Sequence, residues 1–158
     1  MRHLTFIRSY YEWLRQQFLR KREILEEGLL AVGIQPVVSH GGFFMMCKLP
    51  YYKDLEVLDD LALLSADNEE DFGYEPYDWR FCRRLATDYG VVAIPASPFF
   101  SPNSNVAESF GPLARFAFCK KDETLLKATE RLKAYAKKHN IQGIKKATIE
   151  TEIDSNFN

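Results

Sequence analysis

The first 33 residues carry one long amphipathic stripe, and its length limits the folds that a small domain can adopt. Seven apolar side chains follow steps of three, four or seven residues, which places them on one face of an α-helix: Ile7, Tyr11, Leu14, Phe18, Leu25, Leu29 and Val32. Gly33 and Pro36 then disfavour continuation, so the spacing predicts a helix over about residues 4–32. Such a helix is long for a compact domain, and we expect its N-terminal half to pack on something else.

Length and charge restrict the class of protein further. A chain of 158 residues with 46% hydrophobic side chains can bury one core, so we expect one domain. The 21 basic residues balance 22 acidic ones, and the net charge of -1 predicts neither a nucleic acid nor a membrane as partner. The sequence shows no secretory signal or spanning segment, and a cytoplasmic protein is the expectation. The cysteines, Cys47, Cys82 and Cys119, have apolar neighbours and are predicted to be buried thiols without a disulfide.

The remaining elements alternate between helices and strands. The apolar run at residues 41–47 predicts a strand covered on both faces, and residues 51–78 form an acidic segment that we interpret as a solvated loop. Asp78 is expected to cap a helix that ends near Gly90, followed by a short strand at 91–95 and a proline-rich loop at 95–105. A strand at 113–119 and a helix capped by Asp122 complete the order.

This order predicts an α/β (α+β) fold in which helices cover a small sheet. We expect residues 1–140 to form the domain, with the long helix at about 4–32 and the remainder at about 33–140, and residues 141–158 to form a polar tail.

Arg115 is the side chain that points to a function. It stands inside the apolar run LARFAFC at residues 113–119, where a permanent cation at the buried end of a strand needs an anion. The planar fork of guanidinium donors fits a carboxylate bidentately, so a ligand that is an acid is one interpretation. The other interpretation pairs Arg115 with an acidic side chain of the same domain, and periodicity alone slightly favours it.

Other chemistry is not visible in the sequence. The pair Gly41-Gly42 precedes a strand instead of following one, which argues against a phosphate loop. The histidines, His3, His40 and His139, share no metal-ligand spacing, so no metal site is predicted. Ser97 and Ser101 stand in the proline-rich loop, where a lone serine is usually a turn former. We therefore predict no catalytic residue in this chain.

Several runs resemble a known family. They are KREIL at 21–25, GGFF at 41–44, YDWRF at 77–81, VAIPASPFF at 92–100 and ARFAFCKKDETL at 114–125. Together they resemble, over roughly residues 10–135, the small C-terminal domain of the fold-type-I aminotransferases that use pyridoxal phosphate. The resemblance is greatest to the kynurenine aminotransferases, also known as glutamine transaminase K or cysteine-conjugate β-lyases.

The resemblance implies a role for Arg115, and it also implies that the cofactor-binding residues belong to another part of the complete protein. The family's matching arginine receives the α-carboxylate of the substrate in a two-pronged salt bridge, which implies substrate binding by Arg115. The substrates would be amino acids and 2-oxo acids, the cofactor pyridoxal phosphate, and the complete protein a homodimer, cytoplasmic or mitochondrial. The cofactor lysine and its surrounding residues are expected outside this chain, because Lys48, Lys120 and Lys121 stand in no motif like the one around that lysine.

The resemblance therefore implies that this chain is one domain of an aminotransferase and is inactive alone. Two other interpretations remain. The chain could be a free-standing interaction or regulatory module that uses the long helix and the acidic segment. It could also complement an upstream fragment in trans.

Overall fold

The structure is a computed structural model, and it describes residues 9–37, 39–51, 76–101 and 111–144. In this part of the chain the strands are β1 (Gln35–Pro36), β2 (Phe44–Lys48), β3 (Ile94–Pro95) and β4 (Leu113–Ala117). The helices are α1 (Tyr10–Ala31), α2 (Tyr77–Tyr89) and α3 (Asp122–Lys138), with a one-turn 3-10 helix at Ser97–Phe99. The predicted fold class, helices with a small sheet, is confirmed. Nearly all of the predicted acidic segment lies outside the described residues.

The four strands form one antiparallel sheet in the order β1, β2, β4, β3. One face is the core, where side chains of the sheet pack with the three helices: Leu25, Leu29, Met45, Cys47, Phe81, Leu85, Ala114, Phe116, Leu125 and Leu132. The other face of β2 carries Phe44, which is 39% exposed, so the described residues do not supply the predicted cover on both faces. The apolar run could not reveal this, because it does not say which layer lies on each face.

Helix α1 is capped at Ser9, whose side chain accepts a hydrogen bond from the backbone N–H of Glu12 at 3.3 Å. The predicted start near Leu4 lies outside the described residues. The buried positions of α1 all fall in its C-terminal third, from Leu25 to Leu30. Its first turn instead exposes three large aromatic side chains, Tyr10, Tyr11 and Trp13. Gly33, with a φ of +70°, follows the helix in the left-handed conformation predicted for its stop.

Helices α1 and α3 cross in close contact at Gly28. A Cβ at this position would lie 2.7 Å from Oγ1 of Thr129 and 2.9 Å from its Cα. The hydroxyl of Thr129 donates to the carbonyl of Ile24 at 3.0 Å, which satisfies a buried polar group and joins the two helices. The absence of a side chain at Gly28 therefore allows α1 and α3 to come into close contact over the core.

The other two helices begin differently from the prediction. The cap of α2 is Pro76, and Asp78 is a buried residue of the first turn. The cap of α3 is Lys121, while Asp122 is its first residue, where a carboxylate favours the positive end of the helix dipole. Helix α2 ends at the predicted position, and the residue that follows it, Gly90, has the left-handed conformation.

The described start of the predicted tail, residues 141–144, returns to α1. The backbone N–H of Ile144 donates to the carbonyl of Leu30 at 2.9 Å, and that of Ile141 to Ala136 at 2.9 Å. Residues 145–158 lie outside the described part. Among the described helices, none has the length and apolar character needed to cross a membrane.

Candidate functional site

Arg115 lies in the middle strand pair on the sheet face opposite the core. Register places Met46 of β2 and Ile94 of β3 directly beside it. Its guanidinium carbon is 4.5 Å from the ring centroid of Phe44 and 5.4 Å from that of Phe99. Both distances are within the range of cation–π attraction, so two aromatic rings hold the side chain from different elements.

The hydrogen-bond capacity of Arg115 is not used within the described residues. Its Nε atom is enclosed and has no partner there, and no carboxylate of this part forms an ion pair with the guanidinium. An enclosed donor without a partner costs about 1–3 kcal/mol. The alternative of an internal acidic partner therefore has no support in the described part of the chain.

Arg115 is also less buried than its apolar surroundings suggested. Its side chain is only partly buried, because the outer face of the sheet lacks a covering layer in the described residues. Of the three guanidinium nitrogens, only Nε is a buried atom without a hydrogen-bond partner; Nη1 and Nη2 are not among such atoms. A carboxylate could reach these terminal nitrogens end-on in a bidentate pair.

A second group near the site joins residues that the sequence did not connect. Asp78, only 4% exposed, accepts hydrogen bonds from the backbone N–H of Ser97 at 2.7 Å and from its hydroxyl at 2.9 Å. These bonds fix the start of the 3-10 helix that carries Phe99. The sequence predicts Ser97 as a turn former and Asp78 as a helix cap. It contains no signal for the contact between them, which becomes visible only when the fold places the loop of Ser97 beside α2.

The cysteines divide into two kinds. Cys47 and Cys82 are buried free thiols, as predicted, but Cys119 is exposed, because β4 ends before it. Burial raises the pKa of Cys82 to about 12, with a smaller contribution from the charge of Asp78. Burial also raises the pKa of Cys47, so neither thiol is suited to be a nucleophile.

The remaining candidates in the described residues are exposed or bonded to another side chain. Ser101 and His40 are exposed, and the ring of His139 shares a hydrogen bond of 2.8 Å with the hydroxyl of Tyr89. His3 lies outside the described residues. Within the described part, no cluster of three or more histidine, cysteine, aspartate or glutamate side chains could hold a metal ion.

Curated relatives match most of this chain. It is 32% identical over 127 residues to human kynurenine–oxoglutarate transaminase 3, a match covering 80% of this chain and 25% of that protein. It is 33% identical over 132 residues to the Dictyostelium discoideum kynurenine–oxoglutarate transaminase, covering 80% and 27%. The chain thus spans about a quarter of the length of these relatives. No family model matches it.

Solved structures show the same fold over a similar share. N-succinyldiaminopimelate aminotransferase from Mycobacterium tuberculosis matches with a TM-score of 0.54 and 28% identity, covering 79% of this chain and 26% of that one. Bna3p from Saccharomyces cerevisiae matches with a TM-score of 0.57 and 27% identity, covering 79% and 27%. The chain therefore corresponds to the small C-terminal domain of a fold-type-I aminotransferase. Within that class, its curated relatives are kynurenine–oxoglutarate transaminases.

Proposed function

We propose that this chain is the substrate-carboxylate-binding domain of a pyridoxal-phosphate-dependent aminotransferase of the kynurenine or glutamine type. The complete protein would transfer the amino group of an amino acid to a 2-oxo acid, as a homodimer in the cytoplasm or in mitochondria. Arg115 would receive the α-carboxylate of either substrate. The names of the curated relatives support the reaction class, since they pair kynurenine with oxoglutarate.

The observation that carries the proposal is the unpaired guanidinium of Arg115. It is partly buried on the outer face of the sheet, held by Phe44 and Phe99, and lacks an anionic partner in the described residues. A partly desolvated cation attracts a carboxylate more strongly than a solvated one, because water screens the pair less. A bidentate pair also fixes the direction of the bound acid, which orients the reacting carbon of the substrate.

The described residues do not fit pyridoxal phosphate. Lys48, Lys120 and Lys121 are exposed side chains, whereas a lysine that holds this cofactor needs surrounding groups that also bind its ring and phosphate. We therefore assign no chemical step to this chain beyond binding and orienting the acid. Alone, it should show no turnover. After incubation with pyridoxal phosphate and borohydride, the isolated chain should carry no stable adduct at a single lysine.

The proposal is tested by transamination in the complete protein. Arg115→Lys keeps the positive charge but loses the planar fork, so KM for the amino acid should rise by about tenfold or more. Ser101→Ala is the matched control, because Ser101 is an exposed residue of the loop that also carries Phe99. Wild-type KM values for both substrates in Arg115→Lys would contradict the role of Arg115.

A free-standing interaction module is the second candidate. The exposed aromatic side chains of the first turn of α1 favour it: Tyr10 is 66% exposed, Tyr11 80% and Trp13 40%. This candidate predicts capture of a macromolecular partner by wild type and by Arg115→Ala alike, with loss of capture after Tyr11→Ser and Trp13→Ser. Transamination by the complete protein that depends on Arg115 would favour the first candidate instead.

A further inference from the structure

The ring of Phe99 has an unusual position for so exposed a side chain. It is 65% exposed and belongs to a three-residue 3-10 helix that contains no buried residue. Nevertheless its centroid is 5.4 Å from the guanidinium carbon of Arg115. A single turn of this kind has poor hydrogen-bond geometry and little packing of its own, so something else must fix the direction of the ring.

The carboxylate of Asp78 supplies that constraint. It is nearly fully buried and forms no ion pair within the described residues, so hydrogen bonds must compensate its lost hydration. Three donors do so: the backbone N–H of Trp79 at 3.1 Å, and the backbone N–H and hydroxyl of Ser97 at 2.7 Å and 2.9 Å. Hydrogen bonds to a charged acceptor are about twice as strong as neutral ones. Ser97 is thus held at two points by one buried charge.

A second connection ties the same loop to the strand of Arg115. Ala96 is buried, and its backbone N–H donates to the carbonyl of Leu113 in β4 at 3.1 Å. The backbone N–H of Phe99 donates to the carbonyl of Ala96 at 2.9 Å. The turn therefore has one attachment to α2 and one to β4. Without the attachment to α2, the turn would keep only its attachment to β4.

We propose that Asp78 is a positioning residue of the candidate site, which holds Ser97 and through it sets the ring of Phe99 over the guanidinium of Arg115. The ring of Phe99, together with the ring of Phe44 in β2, then restricts the conformations of the Arg115 side chain before a ligand binds. Preordering of this kind reduces the entropy lost when a carboxylate binds. The consequence for binding rests on the proposed function, whereas the positioning itself does not.

The positioning is measured without ligand, from the nuclear magnetic resonance of the Arg115 Nε–H group in the isotope-labelled chain. Aromatic rings shift a proton above their faces, so Phe99→Leu defines the part of the Arg115 shift that comes from Phe99. Ser97→Ala and Asp78→Asn should move the resonance in the same direction as Phe99→Leu. Ser97→Thr, which keeps the hydroxyl, should restore most of the wild-type shift, and Ser101→Ala should leave it unchanged.

Binding is measured separately, by titration of each variant with 2-oxoglutarate. Loss of one exposed cation–π contact corresponds to roughly a twofold to fivefold weaker interaction, and we expect that change in Ser97→Ala and Asp78→Asn. If Asp78→Asn does not fold, Ser97→Ala decides, because it removes one hydrogen bond and leaves the backbone bond in place.

The two proposals fail in different ways. A wild-type Arg115 resonance in folded Ser97→Ala and Asp78→Asn would overturn the positioning role, whatever the binding result. Wild-type chain that does not bind 2-oxoglutarate, but shows the predicted shifts, would contradict the proposed function and leave the positioning role supported.

Discussion

Replacing Gly28 by alanine should destabilise the fold although alanine is the better helix former. The new Cβ would lie 2.9 Å from Cα of Thr129, which is backbone and cannot rotate away. Ordinary carbon contacts lie at about 3.5–4.0 Å, so α1 and α3 must separate by roughly half an ångström or more. Overpacking of this kind costs about 1–3 kcal/mol, while alanine gains about 1 kcal/mol in helix propensity over glycine. The balance predicts a net loss of about 1 kcal/mol in the free energy of unfolding.

The assay is urea unfolding followed by circular dichroism, with two comparisons. Gly41→Ala is the control, because a Cβ there would have no atom within 4 Å, and its change should be within about 0.5 kcal/mol. In a Thr129→Ala background the contact with Oγ1 is absent, so Gly28→Ala should cost less than in the wild type. Stabilisation by Gly28→Ala in the wild-type background would refute the close helix crossing.

Three further predictions concern local chemistry. Ellman's reagent at neutral pH should modify Cys119 rapidly and the two buried thiols slowly, because burial raises the pKa of both Cys47 and Cys82. Three equal rates would contradict the assigned burial. Hydrogen bonds from Arg15 and, to a smaller extent, from Gln16 lower the pKa of Glu12 to about 2. This carboxylate therefore stabilises α1 fully above its ordinary pKa of 4.5 and loses that effect as the pH falls toward 2. Arg15→Ala should raise the pKa of Glu12 in an NMR titration, and an unchanged value would exclude the pairing. Gly90→Ala should lower the free energy of unfolding by about 1 kcal/mol, since φ is +62° and an L side chain is strained there; unchanged stability would contradict the left-handed cap.

The periodicity of apolar residues predicted the features that depend on residues close together in the sequence, such as the end of a helix or the position of a strand. The stripe that ends at Val32 and Gly33 gave the stop of α1, and the run around Arg115 gave β4, because both patterns reflect which side chains face the core. The partial exposure of Arg115 and of Phe44 was not predictable in this way. An apolar run indicates that a strand favours burial. It does not indicate whether the described part of the chain contains the residues that would cover it.

The candidate site shows the same division. Arg115 was found from its charge in an apolar strand, whereas its aromatic neighbours belong to β2 and to the 3-10 helix. The hydrogen bonds of Asp78 join residues 19 positions apart, and an aspartate near the start of a helix is explained locally as a cap. Tertiary contacts of this kind need the fold before they can be recognised.

The central claim is that Arg115 binds the carboxylate of the substrate, and titration of the isotope-labelled chain tests it most directly. L-kynurenine and kynuramine share the aromatic ketone and an amine, but kynuramine lacks the carboxylate. We predict that L-kynurenine moves the Arg115 Nε–H resonance saturably, with a dissociation constant on the order of millimolar, and that kynuramine does not. Equal responses to both compounds, or no response to L-kynurenine, would contradict the claim.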